Sequence, residues 1–356
     1  MRGLVDRGYD VTIVHRGVHE RAETPAEVMH VHSDPYDDAA MRALFDEASF
    51  EVVVAMYGRL RRIAELSAGR VAQFVSVGGV PALRGWMNPW TSDPPGLPVP
   101  VSEDAPVVDR PEDDEKGYRI ARTEAAVFAH HPRAAHFRYP YVYGPHQLVP
   151  REWLIVRRIL DGRDRVVVAD DGLTLHHHGY TENLAHALLL AIEQPDAAAG
   201  KLFNIGDEEV LSIRQVVELI GAALGRSLEI VSMPFEFAIP ARPLLTQPLP
   251  THRVLDIGRV RHDLGYHDVV PARLAVAATA RWLVDNPCPP GGQEELVLAD
   301  PFDYAAEDRL INAWVGATRA LPDAVFAPTP GYGAPGYGLA YSGPGGRPRS
   351  NAQFDA

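Results

Sequence analysis

Glu51-Val52-Val53-Val54-Ala55-Met56 and Gln73-Phe74-Val75-Ser76-Val77 are two short apolar runs separated by a helix-like stretch from Arg59 to Ser67. Either run alone could be a strand or a buried helix segment, because continuous apolarity carries no period. The rhythm around them decides. Upstream, Asp10 to Val14 is β-branched and follows an Arg7-Gly8 helix stop, so the chain opens inside a helix. Val28 to His32 is a second short strand and Asp38 to Ala48 a helix. Downstream, a helix from Tyr118 to His130 leads into the strand Ala135 to Tyr139. Short apolar strands that alternate with helices predict buried parallel strands, an α/β doubly wound sheet with helices on both faces.

The rhythm breaks twice. Residues 86–115 are rich in proline and acids, which predicts a long surface loop beside the site. Pro140-Tyr141-Val142-Tyr143-Gly144-Pro145 reads as an aromatic turn. Beyond it come Trp153 to Leu160, a Val166 to Ala169 strand, a Thr181 to Glu193 helix, a Leu202 to Ile205 strand and a helix from Ser212, its N-cap, to Leu224 before Gly225. After the proline-rich stretch 234–250, Asp256 to Leu264 and Ala272 to Asp285 read as helices. The expected organisation is a doubly wound α/β lobe over 1–140 and a smaller mixed α/β lobe over 141–285 with segments returning to the sheet. Residues 286–320 then form a linker and helix, and 321–356 a Gly/Pro/Tyr-rich tail with too few aliphatics to offset its ordering entropy.

Composition narrows the function classes. The 356 residues carry 47 acidic against 34 basic side chains, a formal charge of −13, which disfavours polyanion partners, so no nucleic acid is expected. One cysteine, Cys288, excludes an internal disulfide and any Cys-based zinc site, and points to a reducing, cytoplasmic setting. No apolar run reaches the roughly 18 residues of a membrane span. His176-His177-His178 is the tempting metal cluster, but neighbours on an extended strand face opposite ways, and no metal is expected there. Gly-x-Ser-x-Gly, HExxH and Walker motifs are missing, which leaves hydrolase, zinc-protease and NTPase chemistry without local support.

Several landmarks occur in a telling order: Arg7-Gly8-Tyr9-Asp10-Val11-Thr12, Ser33-Asp34, Tyr118 with Arg122, Arg138-Tyr139-Pro140-Tyr141-Val142-Tyr143-Gly144-Pro145, Tyr180-Thr181-Glu182-Asn183-Leu184-Ala185 and Phe203-Asn204-Ile205-Gly206. From Met1 to about Trp282 the chain resembles the extended and atypical short-chain dehydrogenase/reductases, the group of NAD-dependent epimerases and dehydratases. Arg16-Gly17 and Ser33-Asp34-Pro35-Tyr36-Asp37 look most like the atypical members related to chloroplast stem-loop-binding proteins. The resemblance implies a Rossmann-like fold, strand order 3-2-1-4-5-6, and a dinucleotide at the strand ends. It begins midway along the family's first helix. The expectation is therefore that about 15 to 20 residues with the first strand and glycine turn lie upstream of a mis-called start, and that two inner strands of this chain lack a neighbour.

The resemblance also implies roles. Tyr118 is the proton-transferring residue, and Arg122 stands where the family has a lysine, on the same helical face one turn on. Arg supplies charge but cannot release its proton, so it would impair a relay. Gly79 stands at the family's serine position, beside the substrate carbonyl. Ser76 is a poor substitute because alternation aims it elsewhere. Arg16 after the second strand favours NADP over NAD, Asp34 would receive the adenine amino group, and Tyr141 would face the nicotinamide. Tyr143 and His178 would line the substrate pocket, and Asn183 positions the following helix. The implied activity is that of an NAD(P)-dependent epimerase/dehydratase or reductase-like oxidoreductase on a small carbonyl or hydroxyl substrate, a nucleotide sugar among the options. The alternative, motivated by Gly79 and Arg122, is a redox-inactive ligand binder or non-redox enzyme, and a third is an RNA-binding relative. Homodimerisation through helices is common in the family.

Overall fold

A computed structural model of the chain describes residues 1–17, 23–245 and 247–321. The first half runs α1 (Arg2–Val5), β1 (Thr12–His15), β2 (Met29–His32), α2 (Asp38–Glu47), β3 (Val52–Met56), α3 (Leu60–Ser67), β4 (Gln73–Gly79), α4 (Glu115–His130), β5 (Ala135–Tyr139) and β6 (Tyr141–Tyr143). The second runs α5 (Trp153–Leu160), β7 (Arg165–Ala169), β8 (His178–Tyr180), α6 (Thr181–Glu193), α7 (Pro195–Ala198), β9 (Leu202–Asn204), α8 (Ile213–Ala223), β10 (Glu229–Met233), α9 (Arg242–Leu245), α10 (Gly258–Leu264), α11 (Ala272–Asp285) and α12 (Gln293–Leu298). Residues 1–303 form one compact unit that contains both expected lobes, and α13 (Tyr304–Arg319) belongs to a second. The tail from 322 onward lies outside the described residues.

The ladders are parallel throughout. The central sheet has the order β3-β4-β5-β9, and β1 pairs with β2 in a separate two-stranded sheet. β1 and β3 are not hydrogen-bonded to each other, so the sheet is interrupted between them, as expected for two inner strands without a neighbour. Side chains bridge the interruption. Val14 of β1 and Val53 of β3 both pack on the cluster of Met41, Phe45 and Leu66 from α2 and α3. On the opposite face, Leu4, Tyr9 and Val52 pack against the core made by β4, β5, β9, α6 and α10. β4 and β5 are buried on both faces, which their continuous apolar sequence requires.

Two expectations need correction. Residues 86–115 are not a surface loop alone: Trp86 and Val101 are buried with Val80, Leu83 and Leu255 in a small core of their own, because the segment carries enough apolar side chains to fold back. The Pro140 to Pro145 stretch is a strand, β6, not only a turn, since Tyr141 to Tyr143 pairs in register with His178 to Tyr180. α12 adds a helix inside the expected linker, and β10, which pairs with β7, was not foreseen. Ser212 caps α8 in a full capping box with Gln215, as its spacing predicted.

Candidate functional site

The site lies where the carboxyl ends of the parallel strands meet the start of α4. β4 ends at Gly78-Gly79. A Cβ at Gly78 would sit 2.7 Å from His136 Nε2, so that position has to be glycine, whereas one at Gly79 would meet Pro81 Cδ at 3.1 Å. The first turn of α4 presses on the same segment. A Cβ at Gly117 would lie 2.4 Å from the Pro81 carbonyl oxygen, and Asp114 accepts from the Gly117 N–H at 3.0 Å as the helix N-cap. This close approach sets the first turn of α4, which carries Tyr118, against the Val80 to Ala82 turn that follows β4.

Arg122 follows one turn later. Its Nη1 donates to the Tyr118 hydroxyl at 3.3 Å, and its guanidinium lies 5.7 Å from the Tyr118 ring centre. Tyr118 is half-buried and Arg122 exposed. A phenol that can give or take a proton therefore has a fixed cation on its oxygen. Ser76 takes no part: it is fully buried, with its hydroxyl 2.8 Å from His136 Nδ1. Burial, helped by Arg138, lowers the His136 imidazole to about 3, which keeps it neutral in the core.

The residues expected at the adenosine half of a dinucleotide lie at the ends of β1 and β2. Arg16 is exposed after β1. Asp34 Oδ1 accepts from the Tyr36 N–H at 2.9 Å, an Asx turn that leads into α2. Ser33 Oγ, between them, is shut off from solvent and has no hydrogen-bond partner among the described residues. An orphaned hydroxyl at a strand end suits a polar ligand such as a ribose or adenine edge. Tyr57 and Gly58, just past β3, both take positive φ (48° and 37°), a strained turn at the same end of the sheet.

A second cluster surrounds β6 and β8. Tyr143 is 1% exposed and donates to Asp207 Oδ2 at 2.7 Å, so it braces the wall rather than facing the pocket. Tyr141 donates to the Val149 carbonyl and accepts from the Arg151 N–H, with the Arg151 guanidinium 3.6 Å from its ring centre. His176 and His178 turn to one side, where they line an apolar-walled cavity with Arg151, Glu152, Ile155, Leu211 and Val216. His177 turns the other way, as strand alternation requires. Its Nε2 donates to the Asp207 carbonyl at 2.7 Å and its Nδ1 accepts from the Leu255 N–H at 3.1 Å. That fixes a neutral ring, and burial lowers it to about 4. Asn183 holds the frame: its Oδ1 accepts from the N–H groups of Val269 and Val270, and its Nδ2 donates to Asp207 Oδ1 and the Val270 carbonyl, all at 2.9 Å.

Two arginines that sequence reasoning passed over complete this cluster. Arg253 is buried beside His176, 3.3 Å from its Nε2, and donates to the Leu245 carbonyl at 2.7 Å. Burial, then the charge of Arg151, lowers Arg253 to about 9, and burial also lowers Arg151. His176 and His178 are held well below the ordinary imidazole range by burial first and the arginines next. The poorly solvated wall thus combines two arginines with the buried Glu152, whose carboxyl burial raises. Arg151 and Arg253 are 102 positions apart, with no local motif to connect them.

Residues 100–206 match the model of the NAD dependent epimerase/dehydratase family. An uncharacterized protein, y4nL, of Sinorhizobium fredii is 26% identical over 170 residues, 42% of this chain and 47% of its own length, so the chain spans about half of that curated relative. Among solved structures, WbmG of Bordetella bronchiseptica in complex with NAD and UDP superposes with a TM-score of 0.59 and 15% identity, over 80% of this chain and 89% of that one. The UDP-glucose 4-epimerase of Thermotoga maritima with UDP-glucose gives 0.60 and 19%, over 80% and 94%. The UDP-glucuronic acid 4-epimerase of Bacillus cereus, with UDP-glucuronic acid and NAD, gives 0.60 and 16% over the same shares. No helix among the described residues is long and apolar enough to cross a membrane. The chain thus shares its Rossmann-type fold with solved epimerases and dehydratases, and its residues 100–206 are similar to the NAD dependent epimerase/dehydratase family.

Proposed function

We propose that the protein is an NAD(P)-dependent epimerase/dehydratase-type oxidoreductase acting on a nucleotide-activated sugar. The observation that carries this is the Tyr118–Arg122 pair, 3.3 Å from oxygen to nitrogen, on the helix whose Gly117 packs closely against the Pro81 carbonyl. Tyr118 moves the proton at the reacting hydroxyl. Arg122 stabilises the negative charge that develops on the phenol oxygen. Gly79 leaves room for the substrate where a side chain would project. The nicotinamide group, when bound, supplies the hydride chemistry, and Arg16, Ser33 and Asp34 are the residues suited to the adenosine half, with Arg16 favouring a 2′-phosphate.

The substrate class follows from the second cluster. Arg151 lines the buried cavity and Arg253 lies beside His176 of the same lining, and guanidinium groups match phosphate oxygens. The neutral His176 and His178 add donors without charge, and the apolar Ile155 and Val216 suit a base or sugar face. A nucleoside diphosphate sugar combines these chemistries.

The test uses the untagged full chain with NAD, NADP and a panel of UDP- and dTDP-sugars, followed by calorimetry for binding and by mass spectrometry for product. Saturable cofactor binding and a fall in turnover of about 10²–10⁴ for Tyr118→Phe, at unchanged cofactor affinity, are expected. UDP-sugar binding without cofactor binding, or Tyr118→Phe with full turnover, would overturn the reading in favour of a redox-inactive ligand binder.

A further inference from the structure

His15, His30 and His32 converge on one face of the β1–β2 pair. The parallel register sets His15 beside His32 and Ile13 beside His30. Directly paired residues share a face, and so do residues two apart on one strand. All three imidazoles therefore project to the same side at the carboxyl end of the pair. Their nearest ligating nitrogens all lie within 4.8 Å of one another, with His15 Nε2 only 2.9 Å from His30 Nδ1. The rings stand edge to face, with centres 5.0 to 6.2 Å apart. His15 and His30 are half-buried and His32 is exposed.

We propose that His15, His30 and His32 bind one divalent transition-metal ion, Zn²⁺, Ni²⁺ or Cu²⁺, with the remaining coordination left to water or a ligand. Metal-to-nitrogen bonds of about 2.0–2.1 Å in a tetrahedral site put the nitrogens about 3.3 Å apart. Side-chain rotation on the order of 1 Å closes the present spread to that value. Among the described residues the cluster offers three imidazoles and no carboxylate, a set that selects borderline metals over Mg²⁺ or Ca²⁺, which require oxygen ligands.

Loading has a defined cost. The Gly17 N–H donates to His15 Nδ1 at 3.1 Å, so the neutral His15 ring holds its proton on Nε2 and shares it with His30. An ion at Nε2 displaces that single proton to Nδ1, which breaks the Gly17 bond. The Gly17 amide is therefore a reporter of the ion independent of any activity. The site stands at the same sheet end as Arg16 and Ser33, yet the proposal does not rest on the oxidoreductase reading.

The experiment takes the untagged full chain, stripped with EDTA, and titrates ZnCl₂ by calorimetry and CoCl₂ by visible spectroscopy, without cofactor or substrate. Wild type should take up one equivalent with micromolar or tighter affinity, show cobalt d–d bands, and shift the Gly17 amide resonance. His32→Ala, an exposed change that leaves the fold intact by circular dichroism, should weaken binding at least 100-fold, and His15→Ala should do the same. His176→Ala should leave it unchanged. Absence of a stoichiometric zinc isotherm in the folded wild type, or equal affinity in wild type and His32→Ala, would overturn the proposal. Failure of cofactor binding in a separate titration would bear only on the oxidoreductase reading.

Discussion

Arg138 of β5 and Glu124 of α4 are joined by two parallel charge-assisted hydrogen bonds, Nε to Oε2 at 2.9 Å and Nη2 to Oε1 at 2.6 Å, with both residues buried. Arg138 Nη1 also donates to the Glu103 carbonyl at 2.9 Å, so one guanidinium ties the strand to the helix that bears Tyr118 and to the preceding loop. Loss of one partner strands the other charge in the core. Glu124→Ala should therefore cost about 3–5 kcal/mol of unfolding free energy. The paired change Glu124→Leu with Arg138→Met should cost less than the sum of the two single changes, which urea denaturation of the four proteins measures.

Arg122 is exposed, so changes there report on chemistry and not on packing. Arg122→Ala should lower kcat about 10- to 100-fold with a smaller effect on KM, because the charge acts on the developing anion. Arg122→Lys restores a point charge and should recover most of the loss. Steady-state kinetics on the sugar identified by product analysis decides it.

Asp207 titrates in an unusual range. Burial raises its carboxyl from an ordinary 3.8 to about 6, even though it accepts from Tyr143, Tyr180 N–H and Asn183. Between those values the unfolded chain ionises and the folded one keeps its proton, so the contribution is full below pH 3.8 and is lost as pH rises through about 6. Asp207→Asn does not titrate. Wild type should lose up to about 3 kcal/mol relative to Asp207→Asn between pH 4 and pH 7, read as the difference between paired urea curves.

Gly144 ends β6 with φ +126°, and a Cβ there would lie 2.5 Å from Thr181 Oγ1 and 2.9 Å from the Tyr180 ring. Gly144→Ala should cost about 3 kcal/mol or more from backbone strain and overlap together. Gly162, at φ +78° with nothing within 4 Å, is the control. Gly162→Ala should cost only about 1 kcal/mol, since it adds strain without a clash. Thermal unfolding of both variants separates the two contributions.

The long elements were legible because their periodicity is strong: the expected Ala135 to Tyr139, Trp153 to Leu160, Thr181 to Glu193 and Ala272 to Asp285 agree with the structure. β6 and β8 were not, since three residues carry no period and their pairing spans 37 positions. α12 was hidden by Pro289, Gly291 and Gly292, which read as linker although the helix starts just after them. In the site, the Tyr118–Arg122 spacing was visible in the sequence and the two side chains do meet, while Arg253 reaches His176 only through tertiary folding. The His30-Val31-His32 alternation was visible as well, but its meaning depends on the register that sets His15 alongside.

The interruption between β1 and β3 leaves β1 and β2 as a two-stranded ladder with no hydrogen bonds to the four-stranded one. Main-chain amides in β4 and β5 are locked between neighbours on both sides, whereas those of Thr12 to His15 have one ladder, and that ladder ends with β2. Deuterium should therefore enter β1 and β2 at a lower opening free energy than it enters the central sheet. A ligand that touched both strand ends would couple the two ladders, and its occupancy would then be readable as slowed exchange far from any atom it contacts.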